Sequence, residues 1–145
     1  MHTVDTRPLD LLEGWFERDK TVHFRGGFAL HGDNGTEDSA AVVIELEPGW
    51  ALGEHTDSPE EILLVMTGTV EVTVGNERQQ AGPGTVAVVP AMVRHSIRNA
   101  GDTTARVIGF FPSRKVVSEF VAPIQPRNVQ TLVHGGSAEV PAVAD

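Results

Sequence analysis

Between residues 40 and 111 the apolar positions fall into short runs separated by turn residues. The cleanest run is 69–74, where Val70, Val72 and Val74 alternate with Thr69, Glu71 and Thr73. Residues two apart share one face of a strand, so this pattern predicts one face on a core and the other toward solvent. Ala40–Leu46, 61–66, 85–89, His95–Asn99 and Ala105–Phe111 read as further strands from their length and β-branched content. Thr67-Gly68-Thr69, Gly75-Asn76-Glu77 and Ala100-Gly101-Asp102 are tight connections, and Gly82-Pro83-Gly84 is a rigid loop. Short strands punctuated in this way predict an all-β barrel or sandwich. No period of 20 to 50 residues recurs, which excludes a solenoid.

The two ends differ from this middle. Residues 8–16 (PLDLLEGWF) space Leu9, Leu12, Trp15 and Phe16 as on a short amphipathic helix. Residues 25–35 are glycine-rich, with His23 and His31 nearby, and read as a strand end and loop. Residues 113–121 are expected to add one more short helix or strand. From Pro123 onward large apolar groups become few, which suggests an arm that is extended across a partner or partly disordered. The expected division is an N-terminal segment at 1–39, a barrel core at 40–112 and a C-terminal arm at 113–145.

A length of 145 residues suits one domain with its own core. The chain has no cysteine. That excludes disulfides, thiolate metal sites and a cysteine nucleophile, and it fits a cytoplasmic setting. The formal charge of −9 argues against a nucleic-acid partner, since phosphate binding needs a basic surface. No apolar run is long enough to span a bilayer, and no secretory leader is expected. Small molecules and other proteins remain as partners.

Candidate chemistry lies in two stretches. The first, GWALGEHTDSPEEILLVMTG, places Gly49, His55, Asp57, Glu61 and Gly68; the second, GTVAVVPAMVRHSIRN, places Gly84, Pro90, His95 and Asn99. His55 and Asp57 are two apart and share a strand face, while Glu61 follows a forced bend at Ser58-Pro59. Two imidazoles and two carboxylates are donors that borderline and hard divalent metals favour. Both stretches resemble the two signature motifs of the cupin superfamily. The first of these is a glycine, five residues, His-x-His, three or four residues, glutamate, six residues and glycine. The second is a glycine, five residues, Pro-x-Gly, two residues, histidine, three residues and asparagine. The resemblance implies a double-stranded β-helix (jelly-roll) barrel, here preceded by the short helical segment. It also implies a homodimer, for which Ala40–Leu46 and the termini are candidate contacts.

Two positions depart from the pattern. Met92 replaces the glycine of the second motif, a change expected to cost little at a turn. Asp57 replaces the second histidine of the first. If His55, Asp57, Glu61 and His95 all bind, the donor set carries two negative charges. It then favours Fe²⁺ or Mn²⁺, with Zn²⁺ or Ni²⁺ as alternatives, and attracts an anionic substrate only weakly. If Asp57 does not bind, the remaining two histidines and one carboxylate form the set of oxygen-activating iron enzymes, and Asp57 is free to act as a base. Glu61 is a second candidate base. Arg94, beside His95, is either a grip on a substrate oxyanion or a solvated surface residue. The resulting expectation is a metal-dependent oxygenase acting on a small organic acid, enol or aromatic compound. Its rivals are a non-redox isomerase, decarboxylase or lyase, and a non-catalytic binding module.

Overall fold

The computed structural model describes residues 1–136. It holds twelve strands and, among the described residues, no helix. They are β1 (Leu12–Phe16), β2 (His23–Leu30), β3 (Ala40–Leu46), β4 (Ala51–Asp57), β5 (Glu61–Thr67) and β6 (Val70–Val74). After them come β7 (Glu77–Ala81), β8 (Val86–Val89), β9 (His95–Asn99), β10 (Ala105–Phe111), β11 (Val116–Gln125) and β12 (Val129–His134). The ladders are antiparallel and join into one sheet in the order β7-β6-β9-β4-β11-β1-β2-β3-β10-β5-β8, with β12 paired to β11. The sheet curls on itself into a jelly-roll barrel, the all-β fold that the strand pattern predicts.

The period-two pattern of β6 places Val70 and Val72 in the interior, and that of β9 places His95, Ile97 and Asn99 there. Leu46, Val70, Ile97, Val107 and Val116 close the core between the two halves of the sheet. Asn99 fixes a turn: its Nδ2 donates to the Leu46 and Thr103 carbonyls (2.8 Å each), and its Oδ1 accepts the Gly101 N–H (2.9 Å). β3 lies between β2 and β10, so both of its backbone edges are taken.

The expected helix at 8–16 is not formed. Leu12–Phe16 instead pairs with β2 on one edge and β11 on the other. Two open strand edges offer those backbone groups ladder partners, and Gly14 weakens a helix. Gly14 also has to be glycine in the strand, because a Cβ there would lie 2.7 Å from Ile124 and 2.9 Å from Phe24. Farther along, residues 116–134 form the β11–β12 hairpin, and β11 is inserted between β4 and β1. The rest of the expected arm, residues 137–145, lies outside the described residues.

Met92 departs from expectation more sharply. It sits where the motif has glycine and takes a left-handed φ of 65°. Its N–H donates to the Asp57 carbonyl at 2.9 Å, which ties the turn to β4. Left-handed backbone is costly for a residue with a Cβ, so this turn carries strain. Because Met92 is exposed, little packing is lost on its removal. Met92→Gly is therefore expected to raise the free energy of unfolding by about 1 kcal/mol, measured by urea denaturation.

Candidate metal centre

β4 carries His55 and Asp57 to the interior on the same face, and both are buried. On one side β9 places His95 directly opposite His55. On the other, β11 places Phe120 opposite His55 and Ser118 opposite Asp57. Glu61 arrives from the facing half of the sheet, at the start of β5. The bend that separates it from Asp57 is pinned to β11: Ser58 N–H donates to the Val117 carbonyl and Ser58 Oγ accepts the Val117 N–H, both at 2.9 Å.

His55, Asp57 and His95 each offer a ligand atom within 4.8 Å of the others. His95 Nε2 is 3.1 Å from Asp57 Oδ2 and 3.3 Å from Glu61 Oε1, and His55 Nε2 is 3.5 Å from Asp57 Oδ2. Glu61 thus touches the group without joining its tightest set. Each imidazole donates its Nδ1–H backward to a carbonyl two residues earlier, His55 to Gly53 (2.7 Å) and His95 to Val93 (3.0 Å). Both Nε2 lone pairs are thereby turned toward the carboxylates, the orientation that metal-bound imidazoles need. His95 Nε2 is buried and, despite its near neighbours, has no hydrogen-bond partner. A divalent cation satisfies that nitrogen and the carboxylates together, so the residues present fit a metal.

Neighbours that the motif spacing does not reveal hold these donors in place. Ser118 Oγ donates to Asp57 Oδ1 at 2.5 Å. The Phe120 ring stacks on His55, with centroids 4.5 Å apart and planes 15° apart. Gly109 on β10 leaves room for Glu61, because a Cβ there would collide with Oε2. Ser118 and Phe120 belong to the alternation Val116, Ser118, Phe120, which is visible in the sequence as a strand but not as part of the site.

Burial disfavours charge on Asp57, yet the adjacent His55 and His95 imidazoles and the Ser118 hydroxyl outweigh it and hold the carboxyl well below its usual range. Burial pushes Glu61 above its usual range, and the Asp57 charge adds to this against the pull of His95. Burial also opposes charge on His95, but Asp57 and Glu61 overcome it and push the imidazole up to about 10. Without a cation, the cluster is neutralised by protons.

A cavity of about 300 Å³ opens from this cluster. Phe24, Phe28, Leu63, Ile97 and Phe111 line it together with His55, Asp57, Glu61 and His95. Arg94 does not line it. It lies in the turn that leads into β9 and is exposed. His31 lines the cavity, whereas His23 lies outside it, bound to Glu13 at 2.6 Å and stacked on Trp50 at 3.8 Å.

The model of the cupin domain matches residues 42–111. Residues 42–111 are a cupin domain. Among solved structures it resembles a Thermotoga maritima protein described as a predicted oxalate decarboxylase. The TM-score is 0.66 at 15% identity, over 77% of this chain and 99% of that one. It also resembles the oxalate decarboxylase of Bacillus subtilis (TM-score 0.64, 19% identity, 68% of this chain and 28% of that one). A third likeness is to the DMSP lyase of Ruegeria pomeroyi (TM-score 0.56, 20% identity, 62% of this chain and 47% of that one). This cupin therefore corresponds to less than half of the Bacillus and Ruegeria chains. No curated protein sequence matches it significantly. At these identities the likeness is one of fold.

Two outcomes are expected from the cluster. His95→Ala and Asp57→Ala lose bound metal, while Ser118→Ala retains the site with affinity lowered about 10- to 100-fold, measured by metal titration. The raised His95 pKa also fixes a sign. It stabilises the metal-free protein fully below the ordinary 6.5, and this contribution is lost as pH climbs toward about 10. The melting temperature of metal-free protein should fall over that window, and calorimetry in two buffers should show proton release on metal binding.

Proposed function

We propose that this cupin is a metal-dependent enzyme that acts on a small organic molecule held in its cavity, with oxygenase chemistry as the leading reading. One observation carries it: His55, Asp57 and His95 converge, buried, at a small and largely apolar cavity, with His95 Nε2 unpartnered. Two histidines and one carboxylate with open positions are the donor set of oxygen-activating iron enzymes. When bound, Fe²⁺ or Mn²⁺ would supply Lewis acidity and one-electron chemistry there, and Zn²⁺ or Ni²⁺ Lewis acidity alone.

The protein's own groups divide the remaining work. Asp57, kept ionised with Oδ1 engaged by Ser118, serves as a ligand rather than a base. Glu61 lines the cavity beside His95 and either completes the ligand set or takes the proton at its carboxylate. Phe24, Leu63, Ile97 and Phe111 exclude water. Glu61 also supports a second reading, non-redox decarboxylation, isomerisation or lysis, in which a buried acid next to a Lewis acid suffices. Oxalate decarboxylase and DMSP lyase are named among the structures of the same fold.

The homodimer belongs to the proposal too. Ile62, Val86, Val88 and Phe110 are exposed on the neighbouring strands β5, β8 and β10 and offer it an apolar face. A cytoplasmic location rests on the lack of cysteine.

Elemental mass spectrometry on protein purified without added metal is expected to find about one iron or manganese per chain. The loaded protein is then expected to consume oxygen with an enol, catechol or small acid, and His95→Ala to abolish the uptake. Product formed equally under argon would favour the non-redox reading. Metal retention with no turnover of any compound would leave a binding module.

A further inference from the structure

The cavity holds a second polar group that the metal centre does not use. Arg127 lies in the turn between β11 and β12, His134 at the end of β12, and His31 just after β2, and all three line the same cavity as the cluster. The turn is built to present Arg127. Gln125 Nε2 donates across it to Asn128 Oδ1 at 3.0 Å, and Asn128 takes a left-handed φ of 58°, which asparagine tolerates. Among the described residues Arg127 makes no ion pair, whereas Arg25 and Arg106 are bound to Glu45.

His134 stacks on Phe28, with centroids 4.1 Å apart. Its Nδ1 is buried and has no hydrogen-bond partner. His31 does not supply one: the two ring centroids stand 6.3 Å apart and no hydrogen bond joins them. Burial, with His31 and Arg127 nearby, pushes His134 down to about 4, so the ring is neutral near pH 7 and keeps one N–H to donate.

We propose that Arg127 and His134 form a recognition subsite for the carboxylate of a small monoanionic organic acid. Its apolar body would lie against Phe28, Phe111 and Leu132, and its far end would meet the metal centre. Three features select this ligand. Arginine's planar fork fits a carboxylate, and a neutral imidazole N–H adds a third donor. The walls between the two ends are apolar and suit a carbon skeleton. The charge balance admits one negative charge and disfavours two: among the described residues Arg127 is the single permanent cation lining the cavity, and Asp10 and Glu13 line it as well. A centre that already contains Asp57 and Glu61 draws an anion only weakly, so an acid needs such a grip away from the metal. This subsite rests on the proposed function and adds its substrate class.

Benzoate, benzamide and phenyl phosphate serve as monoanionic, neutral and dianionic probes, titrated by calorimetry into zinc-loaded wild type, Arg127→Gln and His134→Phe. Arg127→Gln lies in an exposed turn and leaves the barrel intact, and zinc stoichiometry reports on the inner site. Benzoate is expected to bind wild type at least about tenfold more tightly than either analogue. Arg127→Gln should weaken benzoate about tenfold and leave benzamide unchanged, and His134→Phe should weaken benzoate a few-fold. Benzoate binding that is indifferent to Arg127, or matched by benzamide, overturns the subsite while full zinc stoichiometry leaves the metal centre standing. Arg127-dependent benzoate binding by a protein that takes up no zinc upholds the subsite and overturns the metal-dependent function.

Discussion

Two carboxylates and two imidazoles are buried inside a barrel packed mostly with aliphatic and phenylalanine side chains. Burying such groups is costly unless positive charge neutralises them. The surrounding architecture answers to that constraint. Backbone carbonyls of Gly53 and Val93 turn the imidazoles, Ser118 fixes one carboxylate, and the bare backbone at Gly109 leaves space for the other. Without metal, protons do the neutralising, so the charge state of the cluster ties stability to pH.

The inner site was legible in the sequence because its donors sit at fixed intervals on strands whose pleat dictates direction. His55 and Asp57 needed only to be two apart, and His95 only to open a run whose alternate members are Ile97 and Asn99. Arg94 precedes this run, in the turn that leads into β9, and is exposed there. What the intervals do not carry is the identity of partners across the sheet. Ser118 is 61 residues from the aspartate it binds, and no local pattern connects them. The helix expected at 8–16 failed for a related reason: the two strand edges that recruit β1 come from residues 23–26 and 124–125. Spacing of apolar residues describes a segment alone, whereas strand formation depends on what lies beside it.

Position 92 shows a different limit. A methionine in an exposed turn looks harmless by composition, yet the backbone there has kept the left-handed conformation that glycine would supply freely. The hydrogen bond from Met92 to Asp57 means that the strain is spent beside the candidate metal donors, where an anchored turn keeps β4 in place.

The attachment of the β11–β12 hairpin has a consequence for how such a protein diversifies. Among the described residues β12 is laddered only to β11, and it contributes Leu132 and His134 to the cavity, with Arg127 at the connecting turn. The candidate metal donors come from β4 and β9, with Glu61 of β5 beside them. Lengthening, shortening or recoding the tip of one hairpin therefore reshapes the cavity and leaves the donor cluster untouched. The lining and the cluster can be inherited separately within a single small barrel.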